Sequence, residues 1–273
     1  VTAAVRGHKV TLIEKNDSLG GQLLLNRNIP GRGELVTAAK DLINNLKALP
    51  VDIELGKEVN KQSIVDFAPD VVVVAAGARP VRPDIPGIDG DNVVHAWDVL
   101  ADGADLGKQV VIVGGNAVGL ETALYLANQG TLPPDVLHFL VANRAETLET
   151  LEMFVDRGFR DVTVVEMTSK AGQDIGTSNR WTILKEIMRL GVKMMTNAKA
   201  VSVEPDGLVI AHGDKTEKLP ADSIVIATGA EPVNQLAEEL IDDVAEIHTI
   251  GDAQEPRNAL EAIKEGFLTG LKI

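Results

Sequence analysis

The 273-residue chain has no cysteine, few aromatics (3%) and far fewer basic than acidic groups, with 26 Lys and Arg against 40 Asp and Glu. Each shortage removes a class of function. Without thiols these residues can form no disulfide, run no dithiol redox cycle and ligate no zinc or iron–sulfur cluster through Cys. A formal net charge of −14 opposes long-range encounter with nucleic acid or an anionic membrane surface. No apolar run approaches the length of a membrane span and no segment reads as a signal peptide, so a cytoplasmic location is expected. The five histidines are scattered without ligand spacing, and no Ser/His/Asp arrangement can be argued, so neither a metal site nor a hydrolase is expected. What remains is ample: 45% hydrophobic residues and 25 glycines, enough for a sizeable core cut into one or two domains by tight turns.

Residues 110–122, VVIVGGNAVGLET, carry the strongest signal. An apolar β-forming run leads into a Gly-rich turn and then into Leu120, Ala123, Leu124 and Leu126 at helical spacing, the order of parts in a dinucleotide pyrophosphate site. Gly114 opens the turn and Gly119 permits close helix–strand packing. Asn116 stands where a second glycine would let the backbone reach the phosphates; it adds bulk, but Asn tolerates unusual backbone angles and can donate to phosphate. The other reading of this stretch is a glycine turn that merely joins strand to helix.

The chain reads as two repeats of one α/β plan. In the first, Val1 to Val5 end a helix stopped by Gly7, Lys9 to Ile13 form a strand ending in Glu14, and Gly20-Gly21-Gln22 is a loop. Leu35 to Leu49 predict a helix, Val51 to Leu55 a strand, and Val71 to Ala75 an apolar strand closed by Ala76-Gly77-Ala78. Pro80 to Pro86 reads as an extended connection. In the second, Val110 to Val113, Gly119 to Asn128, Val162 to Val165 ending in Glu166, and Asn179 to Leu190 alternate strand and helix. Val192 to Met195 predicts a strand, Lys199 to Glu204 and Leu208 to His212 a hairpin, and Ser223 to Ala227 a strand closed by Thr228-Gly229-Ala230. VVVVAAGARP at 71–80 echoes SIVIATGAEP at 223–232, as two dinucleotide-binding units would. Residues 131–160 read as an insertion of two amphipathic helices, begun by Pro133-Pro134 and stopped by Gly158.

Glu14 and Glu166 each end a strand at the point where such a fold places the acid that accepts from a ribose diol. Glu166 lies 47 residues beyond Gly119, well past the roughly 20 expected, but subtracting the 30-residue insertion restores ordinary spacing. A carboxylate there repels a 2′-phosphate and no arginine follows at once, which favours NADH over NADPH. Gly251-Asp252 enters a helix-like segment, Asn258 to Leu268; taken alone, Asp252 reads as a cap or as a ligand for sugar-like hydroxyls.

Together LIEKNDSLGGQL, VVVVAAGARP, VVIVGGNAVGLE, SIVIATGAEP and TIGDAQEPRNALEAIKEG resemble the flavin-disulfide-reductase fold as it occurs in the bacterial NADH:flavin oxidoreductase family. That family includes 2-enoate reductase, 2,4-dienoyl-CoA reductase and trimethylamine dehydrogenase. The resemblance covers nearly the whole chain. It implies two Rossmann-like units, an FAD-type domain at 1–104 and 244–273 interrupted by an NAD(P) domain at 105–243. It also implies a partner, an N-terminal barrel with FMN and a 4Fe–4S cluster, which reduces an activated alkene such as a 2-enoate or enoyl-CoA; an oligomer is compatible with it. Glu14 would then hold the FAD adenine ribose, Gly20, Gly21 and Gln22 would follow the flavin pyrophosphate, and Val59 would meet the adenine. Ala76 and Gly77 would pass near the cofactor, Gly229 would take part at the matching turn, and Gly251 and Asp252 would meet the ribityl chain. Gly114, Asn116, Val118 and Gly119 would hold the NAD phosphates, Glu121 would approach the nicotinamide end and Glu166 the adenosine ribose. No catalytic residue is assigned. The family's first strand and its GxGxxG loop would precede Val1, so weak or no FAD retention by these residues is expected. The competing function is an inert nucleotide-binding or docking module; a dithiol reductase of the same fold is ruled out by the missing cysteines.

Overall fold

A computed structural model describes residues 1–273, and these divide into two compact units. Unit 1 comprises Val1–Arg27, Arg32–Arg79 and Ala230–Ile273; unit 2 comprises Asn28–Gly31 and Pro80–Gly229. The chain leaves unit 1 after Arg79, earlier than the sequence suggested, because a short strand near residue 94 joins the sheet of unit 2; it returns at Ala230 rather than near residue 244.

Unit 1 opens with α1 (Thr2–Val5), stopped by Gly7 at φ +97°, a left-handed conformation that glycine alone adopts cheaply. Strand β1 (Val10–Ile13) follows, and then a 3-10 helix, Gly21–Arg27, where only a loop was expected. Helix α2 (Gly33–Lys47) leads into β2 (Val51–Glu54), which pairs in parallel with β1. Helix α3 (Lys61–Phe67) has too short an apolar pattern to be read from sequence; a reciprocal cap fixes it, the Asn60 side chain accepting from the Ser63 N–H and the Ser63 hydroxyl from the Asn60 N–H, both at 3.0 Å. Strands β3 (Val71–Val74) and β4 (Ala78–Pro80) close this segment.

Unit 2 is built on a five-stranded parallel sheet. Its elements are β5 (Val93–His95), α4 (Ala96–Leu100), β6 (Gln109–Val113), α5 (Ala117–Asn128), the inserted α6 (Pro134–Ala142) and α7 (Leu148–Asp156), β7 (Asp161–Val165), α8 (Thr177–Arg189) and β8 (Lys193–Met195). A meander of β9 (Ala198–Glu204), β10 (Gly207–His212) and β11 (Lys215–Pro220) precedes β12 (Ser223–Ile226). The sheet order is β5-β12-β6-β7-β8, so the chain moves one way from β6 to β7 and the other way to β12. That reversal opens a crevice beyond the carboxyl end of β6, the usual ligand position in such sheets. Alternation builds two cores. Val110, Ile112, Val162 and Val164 face α5 and α8 with Leu120, Ala123 and Ile187, while Val111, Val113, Val165, Ile224 and Ile226 face the meander with Leu208 and Ile210. Both faces are covered, which is why β6 reads as an unbroken apolar run.

The insertion forms the two expected helices, with Pro134 at the first turn of α6. Arg189 on α8 holds α7 down, donating to the Val155 carbonyl at 3.0 Å and to Asp156 at 2.5 Å. Gly158 does not stop α7 as expected: Arg157 ends it in extended backbone, and Gly158 is required because a Cβ there would lie 2.3 Å from the Ala127 carbonyl oxygen at the end of α5. The returning part of unit 1 supplies β13 (Ala230–Pro232), α9 (Gln235–Glu239), β14 (Glu246–Thr249) and α10 (Ala259–Lys272). Strand β14 pairs in parallel with β3 alone, β1 with β2 alone and β13 with β4 alone, so the strands of unit 1 form three separate pairs. No helix of either unit is long and apolar enough to cross a membrane.

Candidate functional site

The turn between β6 and α5 is shaped by contacts that only glycine can make. Gly114 has φ +108°, and a Cβ on it would sit 2.3 Å from the Ala227 carbonyl oxygen at the end of β12. At Gly119 a Cβ would meet the Gly114 oxygen at 2.0 Å, and at Gly115 it would meet the Glu166 Cβ at 2.9 Å. The loop is therefore pressed against β12 on one side and the end of β7 on the other. Asn116 has ordinary extended backbone, φ −76°, and its side chain does not reach outward. Its Oδ1 accepts from the Gly119 N–H at 3.0 Å as the N-cap of α5, and its Nδ2 donates to the Ala227 carbonyl at 2.7 Å. Asn116 thus braces helix to strand, a role that the direct phosphate donation read from sequence would have to give up.

Glu166, nine-tenths buried, folds back onto this turn. Oε2 accepts from the Gly115 N–H and Oε1 from the Thr168 N–H, each at 2.7 Å. Each oxygen keeps a lone pair for a further donor, so the carboxylate can still receive ribose hydroxyls. A contact that sequence reading missed lies beside it: the Asp174 carboxylate, from the loop between β7 and α8, accepts from the Ala117 N–H through both oxygens at 3.0 Å. No motif announces it. The N–H groups of Asn116 and Val118 have no acceptor within the protein. Glu121 lies half-buried one turn into α5, and Gly229, at φ +109°, follows Thr228, whose hydroxyl donates to the Val81 carbonyl at 3.1 Å.

In unit 1 the Glu14 carboxylate accepts from the Asn16 N–H and side-chain amide at 2.9 and 2.8 Å. Gly20 and Gly21 both have positive φ, and the Gln22 amide donates to the Ala78 carbonyl at 3.5 Å, which brings Gln22 against Ala76-Gly77 as one surface. A Cβ on Gly77 would lie 3.5 Å from Gln22 Nε2. Val59 is half-buried next to the Asn60 cap. Asp252 does not cap α10: Asn258 does, accepting from the Glu261 N–H at 3.1 Å, while Asp252 accepts from the Arg257 N–H at 3.1 Å. Gly251, φ +59°, donates its N–H to Glu265 at 2.7 Å.

A family model described as "Pyridine nucleotide-disulphide oxidoreductase" matches residues 1–266. The chain belongs to the pyridine nucleotide-disulphide oxidoreductase family. Among its relatives, "Metal reductase" of Desulforamulus reducens is 36% identical over 274 residues, 99% of this chain and 41% of the relative. "Cinnamate reductase" of Clostridium sporogenes is 30% identical over 268 residues, 97% of this chain and 36% of the relative. The solved structure of a 2-naphthoyl-CoA reductase with 2-naphthoyl-CoA superposes with a TM-score of 0.83 at 31% identity, covering 99% of this chain and 37% of that one. The chain spans about two fifths of the length of these relatives. They are oxidoreductases, and the doubly wound fold expected from sequence is theirs. The dithiol chemistry in the family's description has no means in these residues, which carry no cysteine.

A second group in unit 2 escaped sequence reading. His95 ends β5 next to Ile226, and both its ring nitrogens are buried without a hydrogen-bond partner. Burial pushes the imidazole below its usual value near 6.5, against the opposing pull of the nearby Val81 backbone and Asp98, and Arg82 pushes it further down. The folded state then binds fewer protons than the unfolded one. Stability from this residue is complete above about pH 6.5 and is lost as pH falls through the depressed folded value. Thermal melts at pH 7 and 5 should show a smaller acid loss for His95→Phe than for the natural chain; equal losses would remove His95 as the cause.

Proposed function

We propose that this chain is the nucleotide-binding portion of a flavin-dependent oxidoreductase, taking a hydride from NADH in unit 2 to FAD in unit 1. Electrons then pass to a partner barrel carrying FMN and a 4Fe–4S cluster, which reduces an activated alkene such as a 2-enoate or enoyl-CoA. When bound, the nicotinamide supplies a hydride and the flavin accepts it and releases electrons singly. The chain's own part is position and charge. Gly114 and Gly119, where a Cβ would strike the Ala227 and Gly114 carbonyl oxygens, hold the turn tight against the start of α5, whose unpartnered Val118 N–H suits a pyrophosphate. Glu166, held by two backbone N–H groups, accepts from the adenosine diol and repels a 2′-phosphate. In unit 1, Glu14 takes the FAD ribose, with Gly20, Gly21, Gln22, Val59, Ala76, Gly77, Gly251 and Asp252 along the flavin, while Glu121 and Gly229 serve the nicotinamide side. The names of the cinnamate and naphthoyl-CoA reductases support the substrate class.

The Glu166 contact with Gly115 carries this reading. Titration of the purified chain should give NADH tighter than NADPH by about tenfold or more, from repulsion of the 2′-phosphate; the reverse order removes the assignment. FAD should be retained weakly, because β1 and β3 each pair on one side only and the strand pairs that frame its site are not joined. Flavin copurifying in equal amount would contradict that. Sustained dye reduction with added NADH and FAD separates an enzyme module from an inert docking one.

A further inference from the structure

We propose that Asp174 is a built-in competitor for the dinucleotide, occupying with its carboxylate the place on α5 that a pyrophosphate takes. The inference rests on the reading of this turn as the pyrophosphate site and adds a regulation to it. Five backbone N–H groups run from Gly115 to Gly119 around the helix start. Glu166 holds Gly115, Asn116 holds Gly119, and Asp174 holds Ala117 through both oxygens at 3.0 Å. Asn116 and Val118 alone are left, flanking the N–H that Asp174 covers. A diphosphate that engages the helix start meets a charge of its own sign on the central donor. It binds only after Asp174 has moved off.

The segment bearing Asp174 is made to stay while its side chain leaves. The Gly172 N–H donates to the Gly115 carbonyl at 2.6 Å, Arg180 Nε donates to the Ala171 carbonyl at 2.8 Å, and Ala171 and Ile175 are buried in the core of unit 2. Asp174 itself is exposed, so rotating its side chain toward water breaks nothing but the contact with Ala117. Glu166, in contrast, is buried and tied at both oxygens, and it remains for the ribose. The two acids of one loop therefore have opposite duties. Glu166 admits the nucleoside, and Asp174 taxes the diphosphate.

Isothermal titration of the chain and of Asp174→Asn and Asp174→Ala with NADH, ADP and adenosine tests this. Both variants should bind NADH and ADP about tenfold tighter, the scale of an anion contact at a helix start, with adenosine unchanged because it has no phosphate to compete. Asparagine keeps the shape of the contact without the charge, so it decides the matter if the alanine variant folds poorly. Unchanged or weaker NADH and ADP binding in both variants means that Asp174 is only a cap, and the proposal fails while the site stands. An equal gain for adenosine also overturns it. Absence of binding in the natural chain and both variants overturns the proposal and the site together.

Discussion

Gly119→Val should destabilise unit 2 by about 3 kcal/mol or more and reduce NADH affinity by over about a hundredfold. The new Cβ would stand 2.0 Å from the Gly114 carbonyl oxygen, and that oxygen belongs to a backbone already pressed on Ala227. A flexible side chain could yield to such a contact; two backbone segments cannot without pulling α5 off the sheet. Displacing α5 shifts the Val118 and Ala117 N–H groups, so binding falls along with stability. A thermal shift of about 6–12 °C corresponds to this loss in a unit of this size. Gly213→Ala is the control. Gly213 has φ +61° with nothing within 4 Å of its added Cβ, so only the strain of left-handed backbone applies, about 1–2 kcal/mol, and NADH binding should be untouched. If Gly119→Val melts no lower than Gly213→Ala, the close packing of helix on turn is not what holds the loop.

The parts of this fold that were legible are those whose residues answer to burial on both sides or to one period. Val110–Val113 must be apolar because helices cover one face and the meander the other, and no surface strand would show that run; Val162, Val164 and Val165 answer to the same two faces. The inserted helices were visible because Pro133-Pro134 starts one and the apolar residues keep helical spacing. What escaped is short or nonlocal. Strand β5 has three residues and exists because β12 offers it an edge; nothing within Val93–His95 requires it. Helix α3 depends on a cap between Asn60 and Ser63 more than on hydrophobic pattern. The site divides the same way. Glu166 is legible because strand-end acids have a fixed place in the plan, whereas Asp174 reaches Ala117 from 57 residues away through a loop whose course is set by buried Ala171 and Ile175. Asn116 shows a third case: the position was readable, but its partner, Ala227, is distant in sequence and only the fold turns the side chain toward it.

Glu166→Ala should cost about 2–4 kcal/mol of stability, since it leaves the Gly115 and Thr168 N–H groups without acceptors in a site where burial bars easy access to water. Glu166→Gln isolates the charge from that loss. Its single amide oxygen can still accept from one of the two N–H groups, so it should melt between the natural chain and the alanine variant. Its effect on nucleotides should be larger than its effect on folding. Loss of the charged acceptor weakens NADH by about tenfold or more, as charge-assisted hydrogen bonds are roughly twice as strong as neutral ones. Loss of the same charge relieves a 2′-phosphate, so NADPH should weaken less or even tighten. The ratio of the two dissociation constants is therefore the decisive reading: a Glu166 that merely braces the turn would weaken both nucleotides alike, and only a carboxylate facing the ribose can move them apart.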